Sequence, residues 1–156
     1  MRKNVREKSG EPNNSMAEPA AYVLDSFALL AYLQDEPAAS RIEKLMDQAG
    51  KEKCRLLLCI INLGETLYIT ERRGGLVKAQ AALALIQQLP IEIQPADEQT
   101  VFTAAHIKAN HTLSYADSFV VAIGIQENAI VITADPEFRS VEQIVEMEWL
   151  QAPDKQ

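Results

Sequence analysis

Residues 21–33 read AYVLDSFALLAYL. Four apolar residues end at a carboxylate, and an apolar run rich in helix-forming Leu and Ala follows. This is a buried strand handing over to a helix, with Asp25 at the junction. The same handover recurs downstream. Residues 129–133 (AIVIT) read as a buried strand, ending near Asp135, and Pro136 then opens a short helix. Residues 55–61 (RLLLCII) read as another buried strand, Asn62 stands where a helix cap is expected, and Glu65 lies one turn further on. Ser114 starts a strongly apolar helix to about Glu127, with Asp117 in its first turn. Strands that alternate with helices, and are themselves continuous apolar runs, are covered on both faces. The fold class is therefore α/β, a three-layer α/β/α sandwich on a parallel sheet.

The rest of the chain fits that frame. Pro37 opens a helix to about Ala49, with Ile42, Leu45 and Met46 on one face. The helix bearing Glu65 ends at Gly74-Gly75, and another covers about 76–89 before Pro90. Residues 91–94 read as a short strand, 97–109 as a helix and 144–149 (IVEMEW) as a final strand. Residues 1–20 are polar, rich in Gly, Pro, Asn and Ser, and read as a disordered tail, within which Met16 is an alternative start to Met1. The folded domain is expected over 21–150, with 151–156 as a C-terminal tail.

A chain of 156 residues with 47% hydrophobic content can bury the core of one domain. No apolar run reaches the length of a membrane span, and the first twenty residues hold no signal-peptide core. Cys54 and Cys59 are five apart, so in a strand they point to opposite faces and read as thiols rather than a disulfide. A reducing, cytoplasmic setting fits. The net charge of −7 argues against a constitutive nucleic-acid binder, but leaves room for a nuclease whose metals offset charge at the site. Arg72, Arg73 and Lys78 are locally clustered; a solvated helix end is the plainer reading, a substrate contact the alternative.

Asp25, Glu65, Asp117 and Asp135 thus each stand near a strand–helix junction, and in an open parallel sheet those junctions gather along one edge. Each has a bland explanation. Asp25 and Asp135 can be helix caps, while Asn62-x-x-Glu65 and Ser114-x-x-Asp117 resemble capping boxes. A cap explains one acid at one helix, not an acid at every apolar junction. Four carboxylates brought together repel one another unless a hard divalent cation such as Mg²⁺ binds them. Other chemistries are weak. His106 and His111 do not share a helix face, and no phosphate-binding glycine motif is present. Ser26 and Ser114 lack an evident His base. A phosphoacceptor receiver domain would want an adjacent acid pair after the first strand, where Ser26 follows Asp25.

The segments YVLDSFALLAYL, INLGETLYI, LSYADSFVVAIGI and VITADPEF, in that order, resemble the PIN-domain ribonucleases, especially VapC-type toxins. The resemblance runs from about Tyr22 to Trp149. It implies a PIN-like fold and Mg²⁺- or Mn²⁺-dependent endonucleolytic cleavage of single-stranded or structured RNA. It further implies a cognate antitoxin that blocks the site, and a homodimer. By that match Asp25, Glu65 and Asp117 would be the core acids and Asp135 the fourth, with Ser26 and Thr133 as supporting polar residues. Two alternatives stand beside a toxin: a housekeeping RNA-processing nuclease, and a catalytically silent module that kept the fold.

Overall fold

The computed structural model describes residues 17–151. The expected tails fall largely outside the described residues, which exclude 1–16, with Met16, and 152–156. Residues 17–20 are exposed and form neither helix nor strand.

The described chain runs β1 (Ala21–Leu24), α1 (Ser26–Leu33), α2 (Ala39–Gly50), β2 (Arg55–Cys59), α3 (Ile60–Gly74), α4 (Leu76–Ile86) and β3 (Glu92–Gln94). It continues with α5 (Glu98–Asn110), α6 (Tyr115–Gln126), β4 (Ile130–Thr133), a 3₁₀ turn (Pro136–Val141) and β5 (Met147–Trp149). The five strands form one parallel sheet in the order β3-β2-β1-β4-β5.

Alternation along the strands divides the interior into two cores. Val23, Leu57, Cys59 and Val131 face α5 and α6, packing with Ala104, Ile107, Phe119 and Val120. Leu24, Leu56, Leu58 and Ile132 face the other way, among Ala28 and Leu29 of α1, Ile42 and Leu45 of α2, Leu63 of α3 and Ile86 of α4. Each fully buried Leu, Ile or Phe contributes roughly 1.5–3 kcal/mol relative to an exposed one. These are the three expected layers. Cys54 and Cys59 lie in different cores, both buried and unpaired, as their spacing requires.

Ion pairs hold the short outer strands. Arg55 reaches Glu92 of β3 at 2.7 Å and Glu127 beyond α6 at 3.1 Å, and the Arg41 guanidinium of α2 grips Glu148 of β5 in a two-pronged pair. No helix among the described residues is long and apolar enough to cross a membrane.

Two glycines answer specific demands. Gly75 follows α3 at φ +84°, a backbone region that an L side chain enters with strain. Gly124 lets α6 lie close on β4: a Cβ there would stand 2.8 Å from the Val145 side chain and 3.1 Å from that of Val131.

The structure corrects some boundaries. The apolar run at 55–61 is not all strand: β2 stops at Cys59, and Ile60 and Ile61 begin α3 on its exposed side. A short apolar run does not by itself distinguish strand from helix. Asn62 is consequently no cap. It lies inside the first turn of α3, fully buried, and Cys59 occupies the cap position without a side-chain bond. Ser114 is the cap of α6 rather than its first residue, and because α6 follows α5, Asp117 stands at a helix–helix junction rather than at the expected strand–helix one. The segment after Pro136 is a 3₁₀ turn, and only Met147–Trp149 of 144–149 pairs as strand.

Candidate active site

Because every strand points the same way, β1, β2 and β4 all release their chain at one edge of the sheet. At the end of β1 the backbone of Asp25 is still extended, which aims its side chain back over the first turn of α1. One carboxylate oxygen accepts the Ala28 N–H at 2.6 Å, and the other accepts the Thr133 hydroxyl at 2.5 Å. Asp25 is 1% exposed. Burial pushes its carboxyl up to about 7, against the opposing pull of the Thr133 and Ala28 donors, and the charges of Asp117 and Asp135 push it the same way.

Thr133, last residue of β4 and wholly buried, does more than hold Asp25. Its hydroxyl oxygen also accepts the Asp135 backbone N–H at 3.0 Å. One hydroxyl therefore fixes both the first acid and the loop bearing the last. Asp135 in turn caps the 3₁₀ turn by accepting the Glu137 N–H at 2.9 Å. From α6, Asp117 donates its N–H to the Ser114 hydroxyl at 3.0 Å. Burial raises the Asp117 carboxyl to about 6; Ser114 pulls it down, while the charges of Glu65, Asp135 and Glu137 push it up. Oxygens of Asp117, Asp135 and Glu137 all lie within 4.8 Å of one another.

Beneath the acids, Asn62 joins two of the junctions. Its side-chain N–H₂ donates to the Ala116 carbonyl at 3.1 Å and to the Ser26 hydroxyl at 3.4 Å, so α3 pins the starts of α1 and α6 together. The Ser26 hydroxyl is placed to donate to the Asn62 carbonyl at 3.3 Å. The Asn62 side-chain oxygen is buried without a partner, the only such side-chain atom among the described residues. An orphaned acceptor of that kind costs stability and marks a locally strained polar floor.

With the sheet and its acidic edge so arranged, the PIN domain model matches residues 22–144 of the chain. The chain belongs to the PIN domain family. Solved structures agree in fold. VapBC2 from Rickettsia felis, bound to a DNA fragment from its promoter, superposes with a TM-score of 0.66 at 16% identity, over 84% of this chain and 99% of that one. VapBC-1 from nontypeable Haemophilus influenzae gives 0.63 at 17%, over 83% and 97%. VapBC-5 from Mycobacterium tuberculosis gives 0.55 at 18%, over 86% and 100%. By sequence alone, no curated protein matches the chain. PIN domains are in general nucleases, and in general they use a divalent metal.

In this PIN domain the structure brings two of the four acids expected from sequence into one group and sets the other two around it. Asp117 and Asp135, both half-buried, form a group with the exposed Glu137. Asp25 sits behind them, near enough to feel both charges. Glu65, half-buried on α3, is close enough for its charge to raise Asp117. Ser26 and Thr133 are buried at the same edge, Thr133 bonded to Asp25 and Ser26 to Asn62. Sequence reading missed two groups. Glu137 follows Asp135 by two residues in DPEF, a spacing that a 3₁₀ turn folds back toward its own start. Asn62 was noticed only as a cap, and its burial is a tertiary fact. The donor set suits the family's metal: clustered carboxylate oxygens without thiol or imidazole are the ligands that hard divalent ions select.

Proposed function

We propose that this PIN domain is a Mg²⁺- or Mn²⁺-dependent endoribonuclease, acting in the cytoplasm as the toxin of a type II toxin–antitoxin pair. The observation that carries the reading is the acidic edge: three carboxylates within 4.8 Å, with Asp25 buried behind them. Asp117, Asp135 and Glu137 would hold the cation, with Asp25 and Glu65 supplying further negative charge from behind and beside. When bound, such an ion neutralises phosphate charge and lowers the pKa of a coordinated water.

The chain's own residues then have distinct tasks. Thr133 and the Ala28 N–H fix Asp25 in one orientation, so its oxygens do not have to reorganise during reaction. Thr133 sets the position of Asp135 through its backbone. Asn62 keeps the Asp25–Ser26 and Ala116–Asp117 segments at a fixed separation. Without a cation the cluster would repel RNA, so substrate binding and chemistry share the same requirement.

The similar solved structures are VapBC assemblies, and this supports an antitoxin partner here as well. The antitoxin would place a basic side chain, Arg for its bidentate fit, among the acids. A homodimer fits the exposed Leu76, Val77 and Phe102.

The test is cleavage of a mixed RNA pool at fixed salt. EDTA should stop it, Mg²⁺ or Mn²⁺ should restore it, and Ca²⁺, with its looser geometry, should restore it poorly. Full activity in EDTA would remove the mechanism and favour the silent module. Co-expression with the product of the neighbouring gene should relieve growth arrest. Equal arrest with and without it would leave a nuclease of the housekeeping kind.

A further inference from the structure

On a chain of net charge −7, the arginines that reach the outer strands are already paired with carboxylates: Arg41 with Glu148, and Arg55 with Glu92 and Glu127. Two other arginines, on the elements that carry Glu65 and Glu137, stand over aromatic rings, as Arg41 also does over Tyr22. Each of these two lies over an aromatic ring that is itself open to solvent. The Arg139 guanidinium stands 4.9 Å from the Trp149 ring centre, and that of Arg72 stands 4.9 Å from the Tyr68 ring centre. Trp149 is 36% exposed and Tyr68 46%. Among the described residues Arg72 makes no ion pair, and Arg139 meets only Glu142, at 3.7 Å.

Both pairs are positioned by the elements that build the site. Trp149 is the register partner of Thr133, so it sits one strand out from the residue that holds Asp25 and Asp135. In a parallel pair, register partners face the same side, about 4.8 Å apart. Arg139 comes from the 3₁₀ turn that Asp135 caps and that carries Glu137. On the other side, Glu65, Tyr68 and Arg72 recur at helical spacing along α3. Arg72 falls within about 20° of Glu65 around the helix and about 10 Å further along it. The acidic edge is thus bounded by one Arg-covered aromatic on β5 and another on α3.

We infer that Trp149–Arg139 and Tyr68–Arg72 are two stacking posts that hold single-stranded RNA across the acidic edge, each aromatic stacking an unpaired base and each arginine meeting the neighbouring phosphate. An exposed ring already covered by a guanidinium offers what a splayed base needs: an apolar face and a cation that stacks as readily on a nucleobase as on an indole or phenol. Stacking requires bases that are free of a duplex, so the posts select unpaired segments and are indifferent to sequence. They also supply positive charge at the margins of a site whose centre is negative. The inference rests on the nuclease reading of the acidic edge, and what it adds is two anchoring points for the substrate.

Trp149 is the only tryptophan of the chain, so its fluorescence reports on one post directly. The experiment titrates the full chain, as Asp25→Asn to prevent cleavage, with a ten-nucleotide single-stranded RNA in Mg²⁺, and then with the same sequence as a duplex. Saturable quenching is expected from the single strand and not from the duplex, weakening steeply with salt. Arg139→Ala, and separately Tyr68→Ala with Arg72→Ala, should each weaken the binding at least about fivefold while Trp149 remains as reporter. In the cleavage-competent chain, Trp149→Ala should raise KM by a similar factor, and Trp149→Phe should restore most of it. Equal quenching by duplex, an unchanged KM in Trp149→Ala, or a Trp149 signal that responds to a protein partner but not to RNA would each overturn the posts. Those results leave the nuclease standing as long as EDTA abolishes cleavage. Metal-independent cleavage with intact quenching would do the reverse.

Discussion

The inner and outer halves of the acidic edge are built from the same residue type and behave as opposites. The inner half is Asp25 with Thr133, Ser26 and Asn62, all fully or nearly buried and tied to one another or to backbone. The outer half is Asp117, Asp135 and Glu137, partly or fully open to solvent and held through backbone caps that leave carboxylate oxygens free. An aspartate that is buried and committed to two donors is a rigid reference point. Carboxylates whose own N–H groups make the structural bonds, while their oxygens face solvent, can take and release a ligand. The difference teaches that capping and ligation are not rival explanations of an acid at a strand end. Asp135 caps with one oxygen and retains the other, and Asp25 caps while serving as the buried anchor of the group.

The sharpest way to break this comparison is Asp25→Asn. If Asp25 supplies charge from a fixed position, the amide keeps the shape and should reduce RNA cleavage on the order of a thousandfold or more, since several kcal/mol of charge stabilisation is lost. Activity within tenfold of the parent would make Asp25 a cap and nothing else.

The next effect is on pH dependence without metal. The carboxyl of Asp25 is raised in the folded protein to about 7 from an ordinary value of 3.8. A raised carboxyl binds its proton more tightly when folded. Its contribution is therefore fully present below about pH 4 and is lost as pH climbs through about 7. Unfolding free energies from urea titrations in EDTA should fall between pH 4.5 and pH 8 by an amount on the order of 3–4 kcal/mol, and Asp25→Asn should flatten most of that slope. Mn²⁺ should stabilise more as pH rises, because it competes with the same protons. A flat profile in the parent chain would show that Asp25 is solvated.

Thr133→Val sharpens the inner half alone. It removes the hydroxyl that bonds Asp25 and leaves the Asp135 N–H without its acceptor, at a cost of about 1–3 kcal/mol. Asp25 should then hold its proton to still higher pH, moving the stability loss in EDTA upward. Cleavage measured against pH should follow it.

The smallest structural effects belong to the outer half. Asn caps about as well as Asp, so Asp135→Asn should change apo stability by only a few tenths of a kcal/mol. Asp117→Asn should raise apo stability, because it removes a partly buried negative charge among like charges. Both variants, and Glu137→Gln, should narrow the gap in melting temperature between EDTA and Mn²⁺. An unchanged gap in Asp117→Asn would take it out of the metal set.

The strand at β1, its acid and the helix beyond were legible because the local signals agree: an apolar run, a cap residue and a helix-forming segment occur in that order over 21–33. At Ser114 the cap and the helix-forming segment are present without a strand before them, and at Asp135 the apolar run and the cap are present before a 3₁₀ turn. Legibility failed at 55–62, where Ile60 and Ile61 suit a strand as well as a helix. The chain turned at Cys59 because α3 has to start there to bury Asn62 and Leu63. It failed also at Glu137, whose place depends on a 3₁₀ turn that periodicity does not register.

By itself, then, the sequence determined that this is a parallel α/β domain and that Asp25 and Asp135 stand where strands end, whereas Asp117 stands at the start of a helix that follows another helix. Both follow from burial and from backbone capping, which act between near neighbours. Tertiary structure alone decided which of those acids is buried and which can bind, that one threonine holds two of them, and that Trp149 lies beside Thr133. Those depend on the strand order β3-β2-β1-β4-β5 and on its register, which bring residues more than a hundred positions apart, such as Asp25 and Thr133, into hydrogen-bond contact.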